Sequence, residues 1–247
     1  MRTPLWRHWA ATIAVTVFVS FACFVIFTKL DARWGVAWEN RTLFVRGWLT
    51  TLMISIGALF MSVIFGVLLL AGRKSPYLAL RWFCTAYIEF IRSSPLLVQL
   101  IIGYNLFLPA FGIDDRFASG VLILSSFCGA YLSEIFRGGI ESVSASQREA
   151  ARAVGFDPWQ TYRYVIIPQA VRRVLPAVTG QFANLIKDSS LLSVIGLTEF
   201  TRQGQSIAAQ FAAGYSIFIP IAVGYLILTL PLSAIAAWLE RRFRYES

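Results

Sequence analysis

Six long apolar runs divide the chain, at approximately residues 10–28, 48–71, 82–108, 117–136, 171–200 and 214–239. A helix that rises about 1.5 Å per residue needs about 20 apolar residues to cross a hydrocarbon core about 30 Å thick. Closed barrels also satisfy their backbone groups in lipid, but these runs lack the alternating pattern of barrel strands. The sequence therefore predicts an all-α, polytopic integral membrane bundle of about six transmembrane helices. A content of 57% hydrophobic and 14% charged residues agrees with this class.

The first apolar run follows a short basic segment, as the apolar region of a signal peptide does. It is longer than the roughly 7 to 15 residues typical of such a region, and no A-x-A cleavage site follows it. We therefore interpret residues 10–28 as an extra span that is retained. The whole chain, 1–247, is predicted to form one transmembrane domain with a core at about residues 48–239.

Loop charges predict the orientation of the bundle. Fourteen Lys and Arg residues fall in segments on the side of the two termini, and six fall in the opposite segments. Because cytoplasmic loops carry the excess of basic residues, both termini are expected in the cytoplasm. The net charge of +9 then reflects topology, and we do not interpret it as a nucleic-acid surface.

Residues 144–168 form a polar segment on that same side, with the pattern of a helical hairpin. Ser146 and Glu149 have the spacing of a capping box, which predicts a helix start at Ser146. Gly155 fits the left-handed residue just past the end of that helix. The segment predicts either a docking element, with small residues on its first arm, or an amphipathic hairpin that rests on the lipid surface.

The second arm of the hairpin has its own start and stop signals. Asp157 is a predicted N-cap, followed by Pro158 at the first helical position and by Gln160 as the capping-box partner. Pro168 is predicted to break this helix.

Charged residues inside the apolar runs need a partner or a cavity, because insertion of a charge at a helix centre costs about 2.5–3.5 kcal/mol. Glu89 with Arg92, and Glu134 with Arg137, are spaced to pair on one helix face. Either Glu89 and Glu134 line a substrate path and attract an ammonium group, or both pairs are structural. For Glu134 we favour the structural interpretation.

Polar residues in two other runs have the same two interpretations. Gln181, Asn184 and Asp188 recur on one helical face with Lys187 beside it, and this stripe either lines a path or joins helices by hydrogen bonds. Pro95 predicts a kink that frees backbone groups near Gln99, where a ligand could bind.

Catalytic sites are not indicated. The single His8 excludes a Ser/His/Asp triad within the bundle and gives no metal site. The cysteines Cys23, Cys84 and Cys128 lack C-x-x-C spacing and are interpreted as packing residues. None of the three lysines stands in a G-x-x-x-x-G-K-[ST] motif, so we expect no bound ATP and no other cofactor in this chain.

The segment EAARAVGFDPWQTYRYVIIP resembles the EAA loop of the membrane subunits of ATP-binding-cassette (ABC) importers. The matching positions are Glu149, Ala150, Ala151, Gly155, Val165, Ile167 and Pro168. The stretches YIEFIRSSPLLVQL, GAYLSEIFRGGIESV, PQAVRRVLPA and LIKDSSLLSVIG resemble the polar amino-acid branch of that family. This similarity covers roughly residues 50–200.

The resemblance implies a permease subunit, not an enzyme, that moves polar amino acids or relatives such as opines across a bacterial inner membrane. Glu149, Ala150, Ala151 and Gly155 would couple it to cytoplasmic ATPase subunits, which bind the ATP and its magnesium. The other implied partners are a second permease subunit, identical or paralogous, and an extracytoplasmic amino-acid-binding protein. An ATP-independent channel or exchanger, or a membrane scaffold for an ATPase, remain the other hypotheses.

Overall fold

The computed structural model describes residues 16–18, 20, 21, 24 and 34–243. Every regular element in this part of the chain is helical, which confirms the all-α prediction. The span predicted at residues 10–28 lies largely outside the described residues.

Ten α-helices, with short π and 3₁₀ turns between some of them, make up residues 34–243. They are α1 (Trp34–Glu39), α2 (Arg41–Arg73), α3 (Leu78–Ser93), α4 (Leu96–Ile102), α5 (Arg116–Glu141), α6 (Ala145–Ala153), α7 (Pro158–Gln160), α8 (Ile167–Asp188), α9 (Phe200–Phe211) and α10 (Gly214–Phe243). A π turn, Gly103–Phe107, and a 3₁₀ turn, Pro109–Phe111, extend α4. A π turn, Thr161–Ile166, joins α7 to α8, and a 3₁₀ segment, Ser189–Ile195, follows α8.

Three of the described helices are long and apolar enough to cross a membrane: α2, α5 and the part of α10 from Ser216 to Phe243. The pair α3 and Leu96–Phe111 would be a fourth span, but it is bent by 112° at the break. By length and composition, the described residues thus hold three or four spans, where the apolar runs predict five. If the bent pair counts as one span, the difference is the run at 171–200, which is helical, but whose hydropathy is lowered by Arg172, Arg173 and its amide side chains.

The most extensive contact between two of the described helices is between α2 and α5, where small residues let the two backbones approach. A Cβ at Gly129 would lie 2.7 Å from the Cβ of Phe65, and one at Gly66 would lie 3.0 Å from the Cβ of Leu132. The Ser125 hydroxyl also donates to the Ala58 carbonyl of the neighbouring helix at 3.3 Å. Because lipid supplies no hydrophobic force between helices, such close contacts and hydrogen bonds hold the spans together.

Two apolar clusters organise the described helices around this pair. The larger cluster lies among α2, α4, α5, α8 and the 3₁₀ segment after α8, and its fully buried members include Ile54, Leu100, Leu124, Leu132, Leu185 and Leu192. The smaller cluster joins the start of α2 to α9 and α10 through Phe44, Phe200, Ile207, Ile217 and Ile221. The short helix α9 is thereby fixed to the first halves of α2 and α10.

Candidate functional site: a terminal hairpin and a polar groove

The first arm of the predicted hairpin is α6, which begins one residue earlier than the capping-box pattern indicates. Ser144 is the extended N-cap, with ψ of 153°, and α6 starts at Ala145. Ser146 is already helical, and its hydroxyl lies 2.9 Å from that of Ser144 instead of capping the helix. The predicted Ser146–Glu149 capping box is therefore wrong, because the residue with capping backbone geometry is Ser144.

The end of α6 has the hydrogen bonds of a Schellman motif. The Gly155 amide donates to the Arg152 carbonyl, and the Phe156 amide donates to the Ala151 carbonyl, both at 3.0 Å. Gly155 has φ of +87°, so the predicted left-handed residue is confirmed. No atom lies within 4 Å of the place a Cβ would occupy. Glycine is therefore favoured at this position by its backbone conformation alone.

The second arm starts as predicted but does not stop as predicted. The Asp157 carboxylate accepts from the Gln160 amide at 2.8 Å, and the Gln160 side chain accepts from the Asp157 amide at 3.0 Å, which confirms the capping box. Pro168 does not end the helical segment that runs from α7 through the π turn into α8. It occupies the first turn of α8, directly after a π turn, where proline is tolerated because its missing N–H needs no partner there.

The surface of the hairpin differs in part from the predicted docking face. Glu149 and Ala150 are exposed, whereas Ala151 is packed inside the hairpin and only 5% exposed. Two large apolar side chains near the turn are well exposed, Val154 at 73% and Trp159 at 71%. Neither residue was predicted from the sequence as part of a docking face. The pattern that could have indicated them is an apolar residue on each side of a glycine turn in a polar segment.

Hydrogen bonds hold the first arm of the hairpin to the end of α5, and hold the residue after α5 to α8. The end of the bundle at which these bonds lie is the hairpin end. The Arg148 guanidinium donates to the Ile140 carbonyl at 3.0 Å. Arg173 of α8 donates to the Ser142 carbonyl. Ser142 precedes the hairpin, so a hydrogen bond holds the first arm to α5, whereas the second arm continues through the π turn into α8.

Glu134 is the centre of an ion cluster that joins α2, α3 and α5. Its carboxylate is bound by Arg137 at 2.7 Å, contacts Arg73, and lies 3.7 Å from Arg92. The predicted pair of Glu134 with Arg137 is confirmed. The predicted pair of Glu89 with Arg92 is wrong, because Arg92 faces α5 and lies over the Tyr131 ring at 5.5 Å.

Glu89 is exposed on α3, and the structure gives it no ion pair within residues 34–243. Gln99 lies at the break between α3 and α4. Its amide nitrogen donates to the Ile91 carbonyl at 2.7 Å, the Ser94 carbonyl at 3.1 Å and the Ser94 hydroxyl at 2.8 Å. The carbonyls that the proline break frees are therefore satisfied by Gln99 itself.

A groove of about 870 Å³ runs between α8 and α10. Two members of the predicted polar stripe, Gln181 and Asn184, line it, together with Lys187, which was predicted to lie beside the stripe. The other predicted pathway residues do not line it; they are Asp188, Glu89, Gln99 and Glu134. The groove is also lined by Arg172, Arg173 and Glu240, which lie at the hairpin end of the groove.

A buried carboxylate that the sequence analysis missed lies at the start of α9. Glu199 is fully buried and accepts hydrogen bonds from the amides of Thr201 at 2.8 Å and Arg202 at 2.7 Å. The hydroxyls of Thr51 and Tyr225 donate to it at 3.3 and 3.0 Å. The sequence pattern that could have indicated Glu199 is an acidic residue at a helix start after a glycine turn.

Within the described residues, no His, Cys, Asp and Glu side chains are grouped as a metal site.

The hairpin and the groove lie within a region that matches a known family. Residues 62–245 match the family of binding-protein-dependent transport system inner membrane components. The chain belongs to this family. It is a permease subunit of an ABC transporter.

Relatives of similar length support the assignment. The chain is 36% identical over 209 residues to the probable glutamine ABC transporter permease protein GlnM of Bacillus subtilis, covering 84% of this permease and 96% of that one. It is 38% identical over 213 residues to the glutamine transport system permease protein GlnP of Escherichia coli K12, covering 85% and 97%. The glutamate/aspartate import permease protein GltK of Escherichia coli O6:H1 is 32% identical over 205 residues, covering 79% and 91%.

Solved structures share the fold. One chain of an amino acid ABC transporter crystallised with histidines is 35% identical, with a TM-score of 0.79, and covers 86% of this permease and all of that chain. A chain of the methionine transporter MetNI has a TM-score of 0.69 over 84% of this permease and 99% of its own length at 19% identity, and supports the fold alone.

Proposed function

We propose that this permease imports polar amino acids, chemically close to glutamine and glutamate, and that ATP bound and hydrolysed by partner subunits drives it. The named relatives with similar lengths act on glutamine or on glutamate and aspartate. This chain itself would bind no nucleotide, and the magnesium and ATP would belong to the partner. Both termini and the hairpin would face the cytoplasm.

The hairpin is the observation that carries this proposal. Its turn has a left-handed glycine and the exposed Val154 and Trp159. Its first arm is hydrogen-bonded to α5, and its second arm continues into α8. An exposed apolar turn suits a hydrophobic pocket on a partner, because aromatic and aliphatic side chains that fill pockets contribute most binding energy. A displacement of this turn by the partner would move the attached spans as a rigid body.

The groove between α8 and α10 would form one half of the path for solute. Lys187 and the amides of Gln181 and Asn184 line it inside a membrane protein, where a charge facing lipid is costly. The groove therefore needs water or protein opposite it. A second permease subunit, identical or paralogous, would supply the other half, and an extracytoplasmic binding protein would deliver the solute.

The test is a complex of this permease with its co-encoded ATPase and any companion permease, reconstituted in lipid vesicles. We expect glutamine or glutamate, added with the binding protein, to stimulate ATP hydrolysis and to accumulate inside the vesicles only with ATP. Accumulation that is independent of ATP would instead support a channel or exchanger. If the ATPase binds but no amino acid is taken up, the chain would be a scaffold.

A further inference from the structure

The groove between α8 and α10 has a surplus of positive charge. Among residues 34–243, its lining includes Arg172, Arg173 and Lys187 but only one carboxylate, Glu240. At neutral pH these four side chains sum to two positive charges. A second copy of the groove across a shared path would double this surplus.

These charges are spread along the groove instead of gathering at one mouth. Lys187 follows Arg172 by fifteen positions on α8, which places the two about 22 Å apart along the helix axis. Gln181 and Asn184 lie between them and offer neutral amide groups to a solute. Glu240 lines the groove from the last turns of α10, at the same end as the arginine pair. Within the described part of the chain, the opposite end, around Lys187, therefore has no acidic lining residue.

Two carboxylates predicted to line a substrate path, Glu89 and Glu134, do not line this groove. Glu134 is bound by three arginines in the ion cluster, and Glu89 is exposed on α3. Asp188 does not line the groove, but it directly follows Lys187 and interacts with it electrostatically, so it offsets part of the Lys187 charge. The ammonium-attracting path predicted from Glu89 and Glu134 therefore does not describe this groove.

We infer that this groove conducts neutral and anionic amino acids and excludes those with a net positive charge, such as arginine and lysine, with Lys187 as the specificity-determining residue. The inference rests on the proposed function, because it assigns a charge class to the same path. Rings of Lys or Arg select anions in pores, and repulsion of the wrong solute is a general route to specificity. A charge on the groove wall raises the free energy of a solute of the same sign and lowers that of a solute of opposite sign.

The charge of the groove can be measured without a transported substrate. In the reconstituted complex, Asn184→Cys places a thiol on the groove wall, three positions from Lys187. Its reaction rate is compared for an anionic reagent, sulfonatoethyl methanethiosulfonate, and a cationic one, trimethylammonioethyl methanethiosulfonate, each normalised to a free thiol. Cys84 and Cys128 are buried, and the chain without Asn184→Cys gives the background.

We expect the normalised rates to favour the anionic reagent. Lys187→Glu should shift the ratio of rates by at least about tenfold toward the cationic one, because reversal of the charge acts with opposite sign on the two reagents. Arg163→Glu is the matched control, because Arg163 is exposed in the π turn outside the groove and its reversal should leave the ratio unchanged. A ratio that is the same with and without Lys187→Glu would overturn the inference. Failure of both reagents to react would also overturn it, because the groove would then be sealed by protein or lipid.

Vesicle uptake separates this inference from the proposed function. If glutamine and glutamate accumulate with ATP but the labelling ratio shows no preference, the permease is an amino-acid importer and the charge selection is wrong. If the labelling ratio depends on Lys187 but no amino acid accumulates, the amino-acid assignment is wrong, while the groove still prefers anions.

Discussion

The hydroxyl of Tyr225 donates a hydrogen bond of 3.0 Å to the carboxylate of Glu199, which is fully buried. The same carboxylate caps α9 through the amides of Thr201 and Arg202. Thr51 of α2 contacts this cap twice: its hydroxyl donates to the Glu199 carboxylate and accepts from the backbone amide of Phe200 at 3.1 Å. Glu199 therefore joins three helices, α2, α9 and α10, at one point.

Removal of the Tyr225 hydroxyl should destabilise the permease. Tyr225→Phe keeps the ring packed against Phe200 at 5.7 Å but leaves the Glu199 carboxylate with one donor fewer. A buried acceptor that loses its partner costs about 1–3 kcal/mol. We expect a lower unfolding midpoint for the purified chain in detergent.

Tyr77→Phe is the control for that experiment. Tyr77 is 74% exposed, and its hydroxyl has no hydrogen-bond partner within the described part of the chain. Equal unfolding midpoints for the two variants would show that the Tyr225 hydroxyl does not stabilise the buried carboxylate.

A bulkier residue at Gly155 should uncouple the permease from ATP hydrolysis without unfolding it. A side chain at positive φ costs roughly 1–2 kcal/mol, and the surroundings of Gly155 are open, so this penalty falls on the turn and not on the core. Gly155→Val should redirect the exposed Val154 and Trp159. We expect loss of substrate-stimulated ATP hydrolysis with an unfolding midpoint close to that of the unmodified complex.

Gly138→Ala is the control, because it tests whether replacement of a glycine outside this turn also changes ATP hydrolysis. A Cβ at Gly138 would also have no atom within 4 Å, but this glycine lies inside α5 with helical backbone. Its replacement should leave stimulated hydrolysis intact. If Gly155→Val behaves the same way, the left-handed turn has no part in coupling.

The arginines around Glu134 should contribute unequally to stability. Arg137 makes charge-assisted hydrogen bonds at 2.7 to 3.3 Å, whereas Arg92 approaches only to 3.7 Å and is more exposed. Loss of a hydrogen bond to a charged group costs about 1.5–3 kcal/mol, while an exposed ion pair contributes about 0–1 kcal/mol.

Arg137→Gln should therefore lower the unfolding midpoint more than Arg92→Gln does. Repeating both measurements at high salt adds a second readout, because screening should reduce the smaller Arg92 effect further. A larger effect of Arg92→Gln would mean that the cation–π contact with Tyr131, and not the ion pair, dominates at this site.

Local signals in the sequence predict the hairpin well. A glycine needed at positive φ and the reciprocal bonds of Asp157 and Gln160 depend on neighbouring residues only, so their patterns are specific. The start of α6 is harder to place because Ser144 and Ser146 are both suitable caps by residue type, and backbone geometry favours Ser144. The effect of Pro168 depends on the π turn that precedes it, which the sequence pattern does not reveal.

Long-range contacts are not predictable from spacing. Arg92 could reach either Glu89 on its own helix or Glu134 on α5, and only the packing of α3 against α5 favours the second. Glu199 depends on Thr51, 148 positions away, which no local pattern indicates. The polar stripe on α8 is recognisable in the sequence, but the charge of its groove depends on α10 as well.

Replacement of Gln99 should weaken the break between α3 and α4. Gln99→Leu is close in size but removes the amide nitrogen that donates to the Ile91 and Ser94 carbonyls. Backbone carbonyls left without a partner in a membrane bundle are costly, so we expect a lower unfolding midpoint and faster hydrogen exchange in Leu96–Ile102. Gln210→Leu is the matched control, because Gln210 is exposed on α9. Unchanged exchange at the break in Gln99→Leu would mean that water or lipid headgroups satisfy those carbonyls instead.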